Sequence, residues 1–152
     1  MIKKFLIIFF IFLYGCSGYE PIFSKKNSIK VNSIDLKGEK RLNQIIYKNI
    51  RNLENSDSQD VKVLNLKIYT QKNRKIHSKD SKGNPNKYKL DIETNVEIDL
   101  ENNLVFNKNF IVFEVYDDFD SQFELKKYEK KTEKILAERL SEKIIVYLRT
   151  FE

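Results

Sequence analysis

The most regular pattern in the chain is a strict alternation of apolar and polar residues over about residues 88–100. This period of two predicts a β-strand with one buried face and one solvated face. Shorter alternations predict two more strands, over about 61–76 and 28–36, and the latter changes phase near Ser33. A phase change of one residue predicts a bulge or bend at that point.

A fourth predicted strand, over about 104–116, differs because apolar residues fall on both of its faces. One face carries Phe106, Phe110 and Val112, and the other carries Val105, Ile111, Phe113 and Val115. Such a strand is either central in its sheet or an edge strand that meets a partner. The preceding Asn102-Asn103 pair can adopt the positive φ values of a tight turn, which predicts a hairpin between the third and fourth strands.

Two other segments repeat apolar residues at spacings of three and four, which predicts amphipathic helices. The first covers about 40–54, and the second runs from Leu125 to Phe151 after capping residues in 117–121. The resulting β-α-β-β-β-α order predicts an α+β fold. We expect a two-layer sandwich, with two helices on one face of a four-stranded, mostly antiparallel sheet. Residues 28–152 would form this single domain.

Residues 1–15 have the organisation of a lipoprotein signal peptide. A short basic start precedes nine apolar residues, which would span only about half of a membrane. Cys16 is the only cysteine in the chain and stands where such peptides are cleaved and lipidated, which predicts a lipidated tether over 16–27. Ser17 rather than Asp follows it, so we expect an outer-membrane anchor and a periplasm-facing domain. An ordinary secretory peptide with an incidental cysteine is the alternative.

Composition excludes most kinds of catalytic site. The 152 residues carry a formal net charge of +6, four Gly, one Cys and one His. His77 alone cannot build a histidine metal cluster, and no second cysteine exists for a disulfide or a cysteine metal site. The glycines are dispersed, so no glycine-rich phosphate loop is present. Asp117, Asp118 and Asp120 fit helix capping better than catalysis. We therefore expect a protein that is not an enzyme and needs neither metal nor cofactor.

Charge changes sign along the chain. Residues 62–89 contain nine bases and one acid, whereas residues 90–124 contain ten acids and one base. This contrast predicts a basic tip on the first hairpin, around 72–89, directed away from the acidic second hairpin. The candidate anion-binding side chains are Lys72, Arg74, Lys75, Lys79, Lys82 and Lys87. The alternative is a solvated loop whose charges only keep the protein soluble.

The predicted location suggests which anion this would be. Nucleic acid is not the usual partner at the outer membrane, where lipopolysaccharide (LPS) is abundant. LPS carries phosphates, which attract cationic side chains. The basic hairpin is therefore predicted to bind LPS.

The chain resembles the LPS-assembly lipoprotein family, LptE. Residues 18–23 follow the predicted lipidated cysteine in the order Gly, aromatic, any residue, Pro, apolar, aromatic. A strand then leads into a helix that starts at Arg41-Leu42-Asn43-Gln44, and three strands and a long helix follow. The likeness covers the whole mature chain. Ser17, between the cysteine and Gly18, departs from the commoner spacing.

The resemblance implies a plug inside the large β-barrel LptD, which supports barrel assembly, binds LPS and catalyses no covalent reaction. The candidate barrel contacts are then Tyr19, Pro21 and Phe23 of the tether and Phe110 and Phe113 of the fourth strand. The alternative is an outer-membrane lipoprotein that acts as a scaffold or accessory of another envelope complex, without affinity for LPS.

Overall fold

The computed structural model describes residues 29–53, 61–100 and 104–151. In chain order its elements are β1 (Ile29–Gly38), α1 (Lys40–Ile50), β2 (Lys62–Lys79), β3 (Pro85–Leu100), β4 (Val105–Asp117) and α2 (Gln122–Leu148). A turn of 3₁₀ helix follows each α-helix, at Arg51–Leu53 and Arg149–Phe151. The predicted element order is therefore confirmed. The predicted signal peptide, Cys16, the tether and the Asn102-Asn103 turn lie outside the described residues.

The four strands form one sheet in the order β1-β2-β3-β4. β1 and β2 are parallel, whereas β2 with β3 and β3 with β4 pair antiparallel. The parallel pair requires a long crossover between its strands, and α1 lies within that connection. The prediction of a mostly antiparallel sheet is confirmed, and β1 and β4 are its edges.

One face of the sheet and the two helices enclose the core. The largest fully buried side chains include Leu66, Ile68, Ile92 and Ile98 of the sheet, Leu42 and Ile46 of α1, and Leu136 and Leu140 of α2. The residues between them in the strands point to the opposite, largely polar face. The predicted two-layer sandwich, with both helices on one face, is confirmed. Within the described ranges, no helix is both long enough and apolar enough to cross a membrane.

The predicted bulge in β1 is present. The register with β2 shifts between Val31 and Ser33, which leaves Asn32 as the extra residue. The Asn32 amide and the Ser33 hydroxyl both donate to Oδ1 of Asn65, at 3.0 and 2.8 Å. Because the bulge absorbs one residue, Val31 and Ile34 both contact the core despite their odd spacing.

The turn from β1 into α1 depends on close packing against β2. Gly38 has a φ of +90°, and a Cβ there would lie 2.0 Å from the carbonyl oxygen of Thr70. That oxygen also accepts a hydrogen bond from the backbone N–H of Glu39 at 2.9 Å. The side-chain amide of buried Asn43 donates to the Lys37 carbonyl at 2.9 Å. These contacts fix where α1 begins.

The first hairpin is longer than the pattern predicts. β2 continues to Lys79 and β3 begins at Pro85, so only 80–84 form the turn, whereas the alternation ends at 76 and resumes at 88. The backbone pairing continues past Thr70, but the side chains facing the helices become charged there. Hydrophobic alternation therefore stops before the strand does.

β4 is an edge strand with apolar side chains on both faces. Phe110, Val112 and Tyr116 are buried beneath α2, whereas Ile111 and Phe113 on the opposite face are 52% and 54% exposed. Of the two predicted alternatives, the structure has the edge strand and not the central one.

Candidate anion-binding surface

The turn of the β2–β3 hairpin is built around one carboxylate. Oδ1 of Asp80 accepts from the backbone N–H groups of Lys82 and Asn84, at 2.9 and 2.8 Å. These hydrogen bonds stabilise the charged carboxylate and lower the pKa of Asp80, and the bond from Asn84 has the largest effect. Lys79 and Lys82 flank the turn, and neither has an acidic partner among the residues that the structure describes. Two of the six predicted cations therefore remain free at the tip.

Lys72 and Arg74 point toward α2 and not away from the protein. Nζ of Lys72 lies 2.8 Å from Oε1 of Glu133, and Nε of Arg74 lies 2.6 Å from Oε1 of Glu129. The Arg74 guanidinium also stacks on the Tyr88 ring, 3.8 Å from its centroid. These contacts dock the first half of α2 onto the end of the sheet.

The Arg74–Glu129 pair is part of a semi-buried cluster. The Tyr116 hydroxyl donates to Oε1 of Glu129 at 2.5 Å. Burial, together with this bond to a carboxylate, raises the pKa of Tyr116 to about 12. Although burial disfavours its charge, the hydrogen bond to Tyr116 and the Glu129 carboxylate raise the pKa of Arg74. The phenol stays neutral and the guanidinium charged at neutral pH, so the cluster is a stable structural pairing.

Lys75 and Lys87 lie on the opposite face of the sheet and are also paired. Nζ of Lys75 is 3.1 Å from Asp91, which Lys89 approaches at 2.8 Å, and Lys87 is 2.8 Å from Asp117. The two lysines lower the pKa of Asp91 although burial opposes this. The acidic segment of the sequence thus lies beside the basic one, because β3 and β4 bring its carboxylates alongside. The six predicted cations do not form a single surface.

A basic groove that the sequence analysis missed lies between α1 and α2. We define it by Arg41, Lys72, Lys126, Lys127 and Lys130, with Phe123 at its side; Glu39, Leu42, Glu129 and Glu133 complete its lining, and its volume is about 650 Å³. Glu133 pairs with both Arg41, at 3.4 Å, and Lys72, at 2.8 Å. The three α2 lysines have no acidic partner within the described ranges. Phe123 is 76% exposed.

The signal for the basic groove was present in the chain. Lys126-Lys127 and Lys130-Lys131 are lysine pairs four residues apart in a predicted helix, a spacing that aligns them on one side. These lysines follow Glu124, so they lie outside the basic segment 62–89 and the acidic segment 90–124. Arg41 and Lys72, from distant segments, join this helix only in the folded chain.

Of the two predicted barrel contacts on β4, one is buried in the structure and the other is exposed. Phe110 is buried, 5.7 Å from the Tyr147 ring, whereas Phe113 is exposed with Nζ of Lys89 4.2 Å above its ring. An apolar groove of about 760 Å³ runs between β4 and the second half of α2, and Val112 and Val146 help to line it. Tyr19, Pro21 and Phe23 lie outside the described residues.

The described residues show no arrangement that suggests catalysis. No three or more His, Cys, Asp or Glu side chains within them are grouped to hold a metal ion. His77 is exposed on β2. The chemistry that the described surface offers is anion binding and apolar contact.

Comparison with known proteins identifies solved lipoproteins of the same fold. Rare lipoprotein B from Shewanella oneidensis is 16% identical with a TM-score of 0.62, over 79% of this chain and 96% of that one. A minor lipoprotein from Acinetobacter baumannii is 14% identical with a TM-score of 0.58, over 80% and 90%. Lipoprotein B from Nitrosomonas europaea is 12% identical with a TM-score of 0.63, over 88% and 92%.

No family model and no curated protein sequence matches the chain. The structural likeness extends over nearly the full length of the lipoproteins. The chain therefore has a lipoprotein-type α+β fold, a likeness that its sequence identity alone would not reveal.

Proposed function

We propose that this chain is an outer-membrane lipoprotein, lipidated at Cys16 and facing the periplasm, that plugs an LptD-like β-barrel and binds LPS during its insertion into the outer leaflet. The observation that carries the proposal is a domain with the fold of solved lipoproteins, and it follows a predicted lipidation sequence in the chain. The role is non-enzymatic: the protein assists barrel assembly and offers LPS a binding surface.

The basic groove is the surface best suited to the phosphates of LPS. Lys126, Lys127 and Lys130 offer unpaired ammonium groups, and exposed Phe123 offers an apolar contact beside them. A hydrogen bond to a charged group contributes about 1.5–3 kcal/mol net, and an ion pair at a fully exposed site contributes less. Lys72 belongs to both the basic groove and the predicted hairpin site, and Lys79 and Lys82 add free charge at the hairpin tip. Binding should weaken as salt rises, because these charges are exposed.

The test of LPS binding compares two double charge reversals on the same helix. Lys126→Glu with Lys127→Glu alters the basic groove, and Lys131→Glu with Lys134→Glu makes the same change in net charge outside it. With the full lipidated chain in detergent, we expect the first variant to bind LPS at least about tenfold more weakly. The second should stay close to wild type. Equal losses would mean that only net charge matters, and no loss would remove the basic groove as the site.

The test of the plug role is recovery of a β-barrel with the tagged chain from outer-membrane extracts. Phe113→Asp should lower that recovery, because it places a charge on the exposed apolar face of β4. Tyr69→Asp is the matched control, since Tyr69 is 51% exposed on the same sheet face but away from β4. A chain that is anchored and folded but recovers no barrel would contradict the proposal.

One observation favours the alternative of a scaffold without affinity for LPS. Lys72, Arg74, Lys75 and Lys87 already pair with carboxylates of this chain, which leaves fewer cations for a ligand. If this alternative holds, the wild-type chain should still recover a protein partner from outer-membrane extracts. It should show no LPS binding that depends on salt.

A further inference from the structure

The free edge of β4 has fewer of the features that normally keep a sheet edge from pairing than the edge at β1. Its register with β3 is continuous from Asp117 to Val105, and 110–113 are four consecutive apolar residues without proline. The other edge, β1, is interrupted by the bulge at Asn32 and carries Lys30 and Lys37. Bulges and lysines protect sheet edges. β4 has no bulge, and its one lysine, Lys108, lies outside the apolar run, so β4 is the edge open to another strand.

The chemistry of β4 is complementary to itself. Ile111 is the midpoint of the strand, and Lys108 and Glu114 each lie three residues from it on opposite sides. When two copies of β4 pair antiparallel about a two-fold axis at Ile111, all thirteen residues overlap. Lys108 of each copy then stands directly opposite Glu114 of the other, and opposite charges in such pairs are stabilising. Glu114 also lies 3.7 Å from Arg139 of its own chain, and it is exposed enough to contact both cations.

The apolar groove beside β4 fits the same arrangement. In this register Phe110 of one copy is opposite Val112 of the other, so the β4 sides of the two grooves meet at the two-fold axis. Arg139, Glu142 and Lys143 of α2 form the polar rim of each groove. Val146 is 60% exposed and would be covered. The two-fold axis is perpendicular to the sheet, so the helices of both copies lie on the same side of one continuous eight-stranded sheet. Because the same surface is used by both copies, the assembly stops at a dimer.

We propose that two copies of this protein form a symmetric dimer through antiparallel β4–β4 pairing centred on Ile111. The proposal does not rest on LPS binding or on a barrel partner. Because exposed Phe113 of the same strand is also a candidate barrel contact, the dimer is the state of the protein before it meets a barrel, and the two contacts exclude each other.

Disulfide cross-linking of the full lipidated chain tests the pairing. Directly opposed residues of antiparallel strands have Cα atoms about 4.5 or 5.5 Å apart, which a disulfide can span. Ile111→Cys should therefore give covalent dimers under mild oxidation at least about tenfold faster than Tyr69→Cys. Tyr69 is exposed to nearly the same degree on the same face of the sheet, 51% against 52%, but lies on β2. The wild-type chain is the control for background, because any cross-linking that it shows must come from Cys16, its only cysteine.

Charge reversal tests the register. In the Ile111→Cys background, Lys108→Glu places two carboxylates opposite each other at two symmetric positions, and cross-linking should slow roughly tenfold. Adding Glu114→Lys should restore it. Every variant of this series also carries Arg139→Gln, because exposed Arg139 lies 3.7 Å from Glu114 and would otherwise face the new lysine. Circular dichroism confirms the fold of every variant. Equal rates for Ile111→Cys and Tyr69→Cys would overturn the dimer. Faster cross-linking through Asn109→Cys, or failure of the double reversal to restore the rate, would overturn the register.

Discussion

Gly38 and Gly83 both adopt positive φ values, +90° and +87°, but their surroundings differ. A Cβ at Gly38 would meet the Thr70 carbonyl oxygen at 2.0 Å, whereas nothing lies within 4 Å of one at Gly83. The clash at Gly38 is with backbone of the central sheet, which cannot move without breaking the β1–β2 pairing. Replacement by Ala at Gly83 therefore measures the conformational strain alone. Replacement by Ala at Gly38 measures the same strain together with a steric clash.

We expect Gly83→Ala to lower the free energy of unfolding by about 1–2 kcal/mol, the cost of a left-handed conformation. Gly38→Ala should lower it by more than about 3 kcal/mol, since the clash adds to that strain. Urea unfolding of both variants measures the difference. Equal losses would contradict the close packing of Gly38 on β2.

Asp91 gives the protein a predictable pH dependence. Burial opposes its charge, but Lys89 and Lys75 outweigh burial and hold the pKa of Asp91 below its ordinary 3.8. A carboxyl whose pKa is lowered by folding stabilises the fold above its ordinary pKa, and this contribution is lost as pH falls through the lower value. Asp91→Asn should cost about 1 kcal/mol near neutral pH, and the difference from wild type should shrink as pH falls below the ordinary pKa of the carboxyl. A difference that stays constant with pH would contradict the pairing.

At the scale of elements, the regular alternation in β3 separates a buried face from a wet one. Ile92 is fully buried, whereas Asn95 is exposed on the opposite face of the same strand. Ile92→Asp should lower the free energy of unfolding by at least about 3 kcal/mol, because it buries a charge without a partner. Asn95→Asp introduces the same carboxylate on the wet face and should change stability by less than about 0.5 kcal/mol. Thermal unfolding monitored by circular dichroism compares them, and similar melting temperatures would refute the assignment of faces.

The sequence predicts strands and helices well where buried apolar residues set the pattern. It predicts them poorly where charged residues continue a strand. The stripe through Ile92 and the bulge near Ser33 follow directly from apolar positions, and both are confirmed. The end of β2 was predicted three residues early, at 76 instead of Lys79, because the apolar alternation has already been interrupted by Lys72 and Arg74. Their partners, Glu129 and Glu133, lie four residues apart on α2, more than fifty residues away in sequence. No local pattern reveals that such charges face a helix.

At the scale of the whole molecule, the grouping of charged side chains on the surface was harder to predict than the two layers of helices and sheet. The β-α-β-β-β-α order and the amphipathic helices lead to the two-layer sandwich, since both helices must bury their apolar sides. The parallel pairing of β1 with β2 is set by the path of α1 and was not predicted. The basic groove combines Arg41, Lys72 and the lysines that begin at Lys126, which are brought together only by the packing of α1 and α2 on the sheet. Adjacency along the chain is therefore a poor guide to which charged side chains share a surface.

The core and the predicted anchor are separate parts of the molecule, so they can be separated by one substitution. The described core begins at Ile29 and is made of residues from the sheet and the two helices, whereas Cys16 is predicted to carry the lipid. Cys16→Ser should therefore remove the protein from the outer-membrane fraction, because a stable anchor depends on the acyl chains. Its domain should keep the wild-type melting temperature to within about 2 °C, the shift expected for a loss of less than about 0.5 kcal/mol. Membrane fractionation and thermal unfolding of the full chain measure the two effects. Retention in the outer membrane would contradict lipidation at Cys16, and a lowered melting temperature would show that the tether contributes to the fold.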